Sequence, residues 1–561
     1  MREQIARSPM RIESGSEISL GGSGMRTRIV SMGLLAVFVA IGVKGLSVAL
    51  GGSDPVLTQV SDLEPAPRRA DIVDRNGDLL ATSVTAYSVF ADPRAIGDPV
   101  LIAEELAKVL PDLDVATISA RLSQNDRAFA WIERGVTPRQ RQAVFELGLE
   151  GIGFREESRR AYPRGTLAGH ILGYAGADGQ GLGGIEYAMD DRLSDDAAPL
   201  HLTIDANVQF SLEAELSAAI GEYEAEAGAG VVLAAQSGEV LGMASWPPLD
   251  PHKATALSRQ DPALLDRASG AIYELGSVFK PLTVAGALDA GAIKPGDRFD
   301  VREPLRIRGR QIHDDHPIIG RPTPREIIAD SSNIGTVKIA WQMGSRRQQE
   351  FFGSLGLFSR SPVELAGSAR PLIPEQFDEL YSATASYGHG IAVSPIAFAS
   401  AFASLANAGE IIAPTLLLAP DRKRSPKRVM AAPTADLVTR MLREAVVDGT
   451  GTRAEVGGYR VAGKTGTAEK PIPGGYSETE NICSFAAIFP ADSPEYVVLI
   501  VLDSPKAGDG RGRTAAWNAA PTAGRVIERI APILGVEPRF DDPVPSSPRV
   551  RSVADRRGTT L

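Results

Sequence analysis

Cysteine is almost missing from this chain: Cys483 is the only one in 561 residues. One cysteine excludes an intrachain disulfide and a cysteine-rich metal site. It sits in the apolar run 482–489, where a buried strand thiol is expected rather than a reactive one. Excess positive charge is missing too. The net charge is −10 with no sustained basic stripe, which leaves nucleic-acid binding without support. The one dense basic run, 422–428 with Pro426 inside it, reads as a solvated loop. Lysine is scarce, at 11 of the 59 basic residues. A lysine in a motif position therefore carries weight, because arginine keeps its proton and cannot serve as a base. There is no internal repeat.

What is present describes a globular chain behind an apolar leader. Charged residues make up 23% and hydrophobic ones 43%, and the length suits roughly three to four domain-sized units. Residues 29–50 are apolar apart from Ser31, Lys44 and Ser47. At about 1.5 Å per residue such a helix spans roughly 33 Å, enough for the hydrocarbon layer. Arg2, Arg7, Arg11, Arg26 and Arg28 outweigh Glu3, Glu13 and Glu17 before it, and Asp54, Asp62 and Glu64 follow it. That asymmetry predicts a cytoplasmic tail over 1–28, a single transmembrane anchor over 29–50, and the rest outside the cytoplasmic membrane. The alternative is a cleaved signal peptide with 29–43 as its apolar core. The weak cleavage signal near Ala49 favours the anchor.

Pro65-Ala66-Pro67 reads as a stiff spacer. The region 51–200 mixes short amphipathic helices with a strand at 86–91 and Gly-rich loops, and predicts an irregular α+β domain without obvious chemistry. A second domain is expected over 201–537. It has helices at 206–223, from 277 to about 290, and at 436–447. Strands are expected at 229–235, 239–245, 459–470, 482–489 and 496–502. This order predicts an α+β fold, one antiparallel sheet flanked by helices. The tail 538–561, rich in Pro, Ser and Arg, is predicted to be disordered.

Three short strings carry the chemistry: Ser277-Val278-Phe279-Lys280, Ser331-Ser332-Asn333 and Lys464-Thr465-Gly466-Thr467. On a helix, Ser277 and Lys280 at i and i+3 share one face. Lys280 could take the Ser277 proton if burial or a neighbouring cation such as Lys464 lowers its pKa, which activates serine without histidine. Ser331 is placed to pass protons to a leaving amine and Asn333 to hold a substrate amide, although 330–332 would also cap the following helix. On a strand, alternation sends Lys464 and Gly466 to one face and Thr465 and Thr467 to the other, so a shared ligand needs twist or a bulge. The amides of Ser277 and Thr467 would suit an oxyanion hole. His313-Asp314-Asp315-His316 imitates a metal site without any established geometry, so neither metal nor cofactor is expected. Glu274 reads equally as a site residue and as a solvated acid. No dedicated water-activating base can be named.

At these strings, which together form an established set, the chain resembles the class B penicillin-binding proteins, most closely the division-specific type. The likeness extends to Ala70-Asp71-Ile72-Val73-Asp74-Arg75-Asn76-Gly77, Arg160-Ala161-Tyr162-Pro163, His170 and Gly181-Leu182-Gly183-Gly184-Ile185-Glu186 in the first domain. In the second it takes in Leu202-Thr203-Ile204-Asp205, Ser237-Gly238-Glu239-Val240-Leu241 and 461–468. It departs at Ala70 (usually Gly), Leu275 (usually Pro), Ala234 (often Asp) and His389 (often a second aromatic).

The resemblance implies a penicillin-binding transpeptidase domain behind a pedestal or dimerisation-type domain. Ser277 would be the acylated nucleophile, Lys280 its base, and Ser331 and Asn333 the assisting pair. Lys464, Thr465, Gly466 and Thr467 would bind the D-Ala-D-Ala end of a peptidoglycan stem peptide, and β-lactams that mimic it. It also implies a membrane glycan polymerase and other division proteins as partners. The elongation-specific relative, a β-lactamase or penicillin sensor, and a catalytically silent scaffold remain the alternatives.

Overall fold

The computed structural model describes residues 23–50, 68–195, 197–316, 318, 320–419, 425–508 and 512–540. Of the expected tails 1–28 and 538–561, residues 1–22 and 541–561 lie outside them, as does the spacer expected at 65–67. By packing, the chain divides into two units: 1–65 with 89–132 and 142–155, and 66–88 with 133–141 and 156–561.

The first unit holds one long helix, α1 (Ser23–Leu50), whose described apolar side chains from Ile29 to Val43 are exposed. The side chains of 45 and 47–50, which complete the 29–50 stretch, lie outside the described residues. Among the described ones no helix is long and apolar enough to cross a membrane. The same unit contains two short helices, α2 (Pro99–Ala107) and α3 (Val115–Leu122), each started by an aspartate. Asp98 and Asp114 accept from amides of the first turn, which would otherwise have no partner.

The second unit opens with β1 (Ile72–Val73). It pairs antiparallel with β2 (Leu79–Ala91) and parallel with β3 (Leu200–His201). The strand expected at 86–91 is thus the end of a longer one. Here the motif residues bind one another. Glu186, with no exposed surface, accepts from Arg69 Nε at 3.0 Å and Arg160 Nε at 2.6 Å, and Arg69 also reaches Asp190. A buried carboxylate is costly to leave unpaired, and Glu186 has two arginine partners to prevent it.

The larger part of this unit is built on a five-stranded antiparallel sheet. Its strands are β4 (Ala227–Ala234), β5 (Val240–Trp246), β6 (Ala462–Ile472), β7 (Gly475–Phe489) and β8 (Tyr496–Asp503), in spatial order β6-β7-β8-β4-β5. The central strands are buried on both faces, which explains their continuous apolar runs where a half-exposed strand would alternate. One face is covered by α4 (Ala206–Tyr223) and the C-terminal helix Ala519–Ile533, through Leu212, Leu216, Val526 and Ile527 against Val232, Phe485 and Ile500. The other packs on the cluster containing Phe279, Leu282, Phe398, Phe402 and Leu442. Each of these large side chains contributes about 1.5–3 kcal/mol by burial. The fold is α+β, an antiparallel sheet flanked by helices.

Candidate active site

The nucleophile segment differs from the continuous helix expected from its sequence. Gly276–Phe279 is a 3₁₀ turn, and the α-helix α5 begins at Lys280 and ends at Asp289. Three residues per turn align positions i and i+3 along one side, so the turn serves the Ser277–Lys280 spacing. Gly276 makes the turn possible. Its φ is +63°, and a Cβ there would lie 2.8 Å from Thr467 O. Ser277 is half-buried, and its hydroxyl makes no hydrogen bond to another described residue. Lys280 has no exposed surface, and its sequence neighbours Val278, Phe279 and Leu282 are buried in the core.

The second string enters between α6 (Pro324–Ala329) and α7 (Asn333–Met343). Its two serines divide the work that the sequence left undecided. Ser332 caps α7: its hydroxyl accepts from Gly335 N at 2.9 Å and donates to Asp314 Oδ2 at 2.8 Å. Asp314 Oδ1 accepts from Ile334 N. One of the four residues of the apparent metal cluster, Asp314, is therefore part of a helix cap, and among the described residues no His, Cys, Asp and Glu group could hold a metal ion. Ser331 takes a left-handed backbone, φ +62°. Such strain persists only where the surroundings hold it. Here Lys280 Nζ donates to both Ser331 O (2.5 Å) and Ser331 Oγ (3.0 Å).

Lys464, on β6, has no exposed surface and reaches the same hydroxyl, Nζ to Ser331 Oγ being 3.0 Å. Its Nζ also lies 3.1 Å from Thr465 O, 3.3 Å from Thr465 Oγ1 and 3.4 Å from Thr450 Oγ1. Strand alternation is intact through 462–469, with no bulge before Glu469. The length of the lysine side chain, rather than a bulge, brings the amine round to the threonine. Gly466 brings the strand against the nucleophile segment, since a Cβ there would meet Leu275 O at 2.2 Å and Ser484 Oγ at 2.4 Å.

Lys280, Ser331, Lys464 and Thr465 thus converge. Asn333 and Thr467 are placed otherwise: Asn333 Nδ2 donates to His313 O at 3.0 Å, and Thr467 Oγ1 accepts from Ala515 N at 3.0 Å. Only the Thr467 backbone packs on the Gly276 turn. One participant, Thr450, escaped the sequence reading, and a second, Glu274, was left open by it. Thr450 bonds Thr465 Oγ1 at 2.8 Å, and its only signal was the Gly-Thr-Gly-Thr run at 449–452. Glu274 is 5% exposed, and accepts from Gly390 N and from Tyr476 Oη, each at 3.0 Å. It belongs to the packed site and is no solvated acid.

Burial sets the electrostatics. Removed from water, the Lys280 amine is pushed down to about 7, against the pull of Asp314 and Asp315. Lys464 is pushed down by burial and then by the charge of Lys280, with Asp315 and Asp330 opposing. Two ammoniums around one hydroxyl repel, so near neutral pH the pair sheds a proton and one amine becomes a base. The arrangement can therefore take a proton from a nearby hydroxyl and move it through Ser331.

Residues 228–524 match the penicillin binding protein transpeptidase domain, and 64–197 match the penicillin-binding protein dimerisation domain. The chain is 41% identical over 485 residues to the probable peptidoglycan D,D-transpeptidase FtsI of Caulobacter vibrioides, covering 84% of this chain and 82% of that one. It is 30% identical over 504 residues to peptidoglycan D,D-transpeptidase FtsI of Escherichia coli K12, covering 84% of each. Among solved structures it is similar to penicillin binding protein 3 of Mycobacterium tuberculosis complexed with ampicillin. That likeness has a TM-score of 0.67 and 27% identity, over 85% of this chain and 98% of the other. With its motif lysines gathered on one hydroxyl and both domain types matched in order, the chain belongs to the class B penicillin-binding proteins.

Proposed function

We propose that this protein is a membrane-anchored serine D,D-transpeptidase that cross-links peptidoglycan stem peptides at the division septum. The observation that carries the reading is the pair of buried amines sharing Ser331 Oγ, with Lys280 one 3₁₀ turn from the half-buried Ser277. Lys280, as the neutral amine, takes the Ser277 proton while Oγ attacks the carbonyl of the penultimate D-Ala. The C–N bond breaks, and Ser331 passes the proton to the departing D-Ala amine. Lys464 and Thr465, with Thr450 beside them, hold the terminal carboxylate, and that incoming charge favours the proton on Lys464 and leaves Lys280 neutral. The amides of Ser277 and Thr467 receive the oxyanion. Gly466 lets the strand close on the donor, and Asn333 assists its placement from the cleft rim. A stem-peptide amine then attacks the acyl-enzyme, and a β-lactam occupies the same site.

The matches over 64–197 and 228–524 support reading 51–200 as a pedestal and 201–537 as the transpeptidase domain. The 29–50 stretch, within one 28-residue helix, supports a single-pass anchor with the catalytic domain outside. The relatives named peptidoglycan D,D-transpeptidase FtsI support the septal role; with that role the reading includes division partners, a glycan polymerase among them. The elongation role is the nearest alternative.

Transfer from a D-Ala-D-Ala stem peptide to an acceptor stem, followed by product mass with and without penicillin, tests the reading. Cross-linked product that penicillin abolishes is expected. Rapid hydrolysis of penicillin, with no cross-link, would identify a β-lactamase instead.

A further inference from the structure

Against the Gly276 turn packs a second group of residues to which no proton-transfer role is given above. Gly276 N donates to Gly388 O at 3.3 Å, so the loop 387–390 lies directly against the nucleophile segment. The next residue, His389, sets Nδ1 3.4 Å from Glu274 Oε2, at ion-pair distance. Glu274 is fixed in turn by Gly390 N on Oε2 and Tyr476 Oη on Oε1. The imidazole ring stacks against Tyr476, 4.5 Å between centroids, and lies 6.2 Å from Tyr387. Its Nε2 makes no hydrogen bond to a described residue, and the side chain is 23% exposed. A carboxylate held by two donors, orienting one imidazole nitrogen while the other has no described partner, on a loop bonded to the nucleophile turn, is the arrangement of a base with its orienting group.

We propose that His389, oriented by Glu274, is the general base that deprotonates the incoming acceptor amine, separate from the Lys280–Ser331 route that serves acylation. This rests on the transpeptidase reading and adds a second proton path to it. An acceptor amine is an ammonium at neutral pH and cannot attack. His389 Nε2 takes one proton, giving a neutral amine and an imidazolium balanced by Glu274. The amine nitrogen bonds to the acyl carbon and the C–O bond to Ser277 breaks. The second N–H proton returns to Ser277 Oγ through Lys280 and Ser331, and the imidazolium gives its proton to solvent. The charged and titratable groups around the ring are Glu274, Tyr387 and Tyr476, with Tyr381 beyond Gly390. Arg310, Asp315 and Glu469 act at longer range on the flanking tyrosines.

The test separates the two half-reactions on the full chain. Acylation is followed with a fluorescent penicillin. Transfer is followed from a thioester donor to a D-amino acid acceptor, as a function of pH. His389→Ala is expected to acylate within twofold of wild type. Its transfer to the amine should fall at least tenfold, lose the limb in which the rate rises as histidine deprotonates, and recover with added imidazole. Glu274→Gln, which weakens the hold on the ring, should lower transfer by less than His389→Ala does. Transfer with wild-type rate and pH profile in His389→Ala would overturn the inference. So would acylation falling in step with transfer, with no imidazole rescue, which would mark a structural role. Wild-type protein that penicillin fails to label would instead refute the underlying reading.

Discussion

Lys280 and Lys464 point their amines at a single hydroxyl, each Nζ 3.0 Å from Ser331 Oγ, although they lie on a helix and a strand 184 residues apart in sequence. Neither amine is exposed. Burial is what turns two ordinary lysines into a proton relay, and most of the expected behaviour follows from it.

Acylation should depend on pH through Lys280. Its amine is lowered to about 7 by burial, so below that pH it is protonated and cannot accept the serine proton. The second-order rate of penicillin labelling is expected to climb through a limb near neutrality and level off above it. A flat profile from pH 5 to 9 would contradict this.

The same burial costs stability. Unfolded Lys280 holds its proton up to about pH 10.5 and the folded form only to about 7, so between these values the unfolded chain binds more protons. Stability should therefore rise with pH across that window and decline as pH falls toward 7. Lys280→Met is expected to abolish labelling while flattening this dependence and leaving the melting temperature at pH 7 no lower than wild type. Calorimetry at pH 7 and 9.5 checks it.

Two adjacent serines should separate cleanly. Ser331→Ala removes the shared hydroxyl, and acylation should fall about 10²–10⁴-fold with little change in melting. Ser332→Ala removes the cap of α7 and the Asp314 bond, and should cost about 1 kcal/mol while labelling persists. Labelling rates and thermal melts on both variants distinguish them.

How much of this could be read from the sequence follows from distance along the chain. Ser277 with Lys280 was legible because a local turn fixes their relation, and the strand bearing Lys464 because its neighbours form an unbroken apolar run. Helix 206–223 was read with its observed bounds, and the structure shows Asp205 capping its start. The 3₁₀ start at Gly276 was missed because Gly276 sits pressed between the backbones of Thr467 and Gly388, contacts that no local pattern records. Thr450 meets Lys464 through the packing of the 432–447 helix on the sheet, and Glu274 meets Tyr476 across 202 residues. The facing of Thr467 toward Ala515 followed from strand alternation, but its partner did not.

Gly466→Ala should test how closely strand and nucleophile turn must approach. A methyl group 2.2 Å from Leu275 O forces the two apart. Labelling is expected to fall more than 10²-fold, with circular dichroism unchanged, because small misplacements at a reacting centre are costly.

Peptide mass spectrometry of the penicillin-labelled full chain bears most directly on the assignment of the nucleophile. A single adduct on the peptide containing Ser277, absent from Ser277→Ala, is the expected result. An adduct on any other residue, or undiminished labelling of Ser277→Ala, would contradict it.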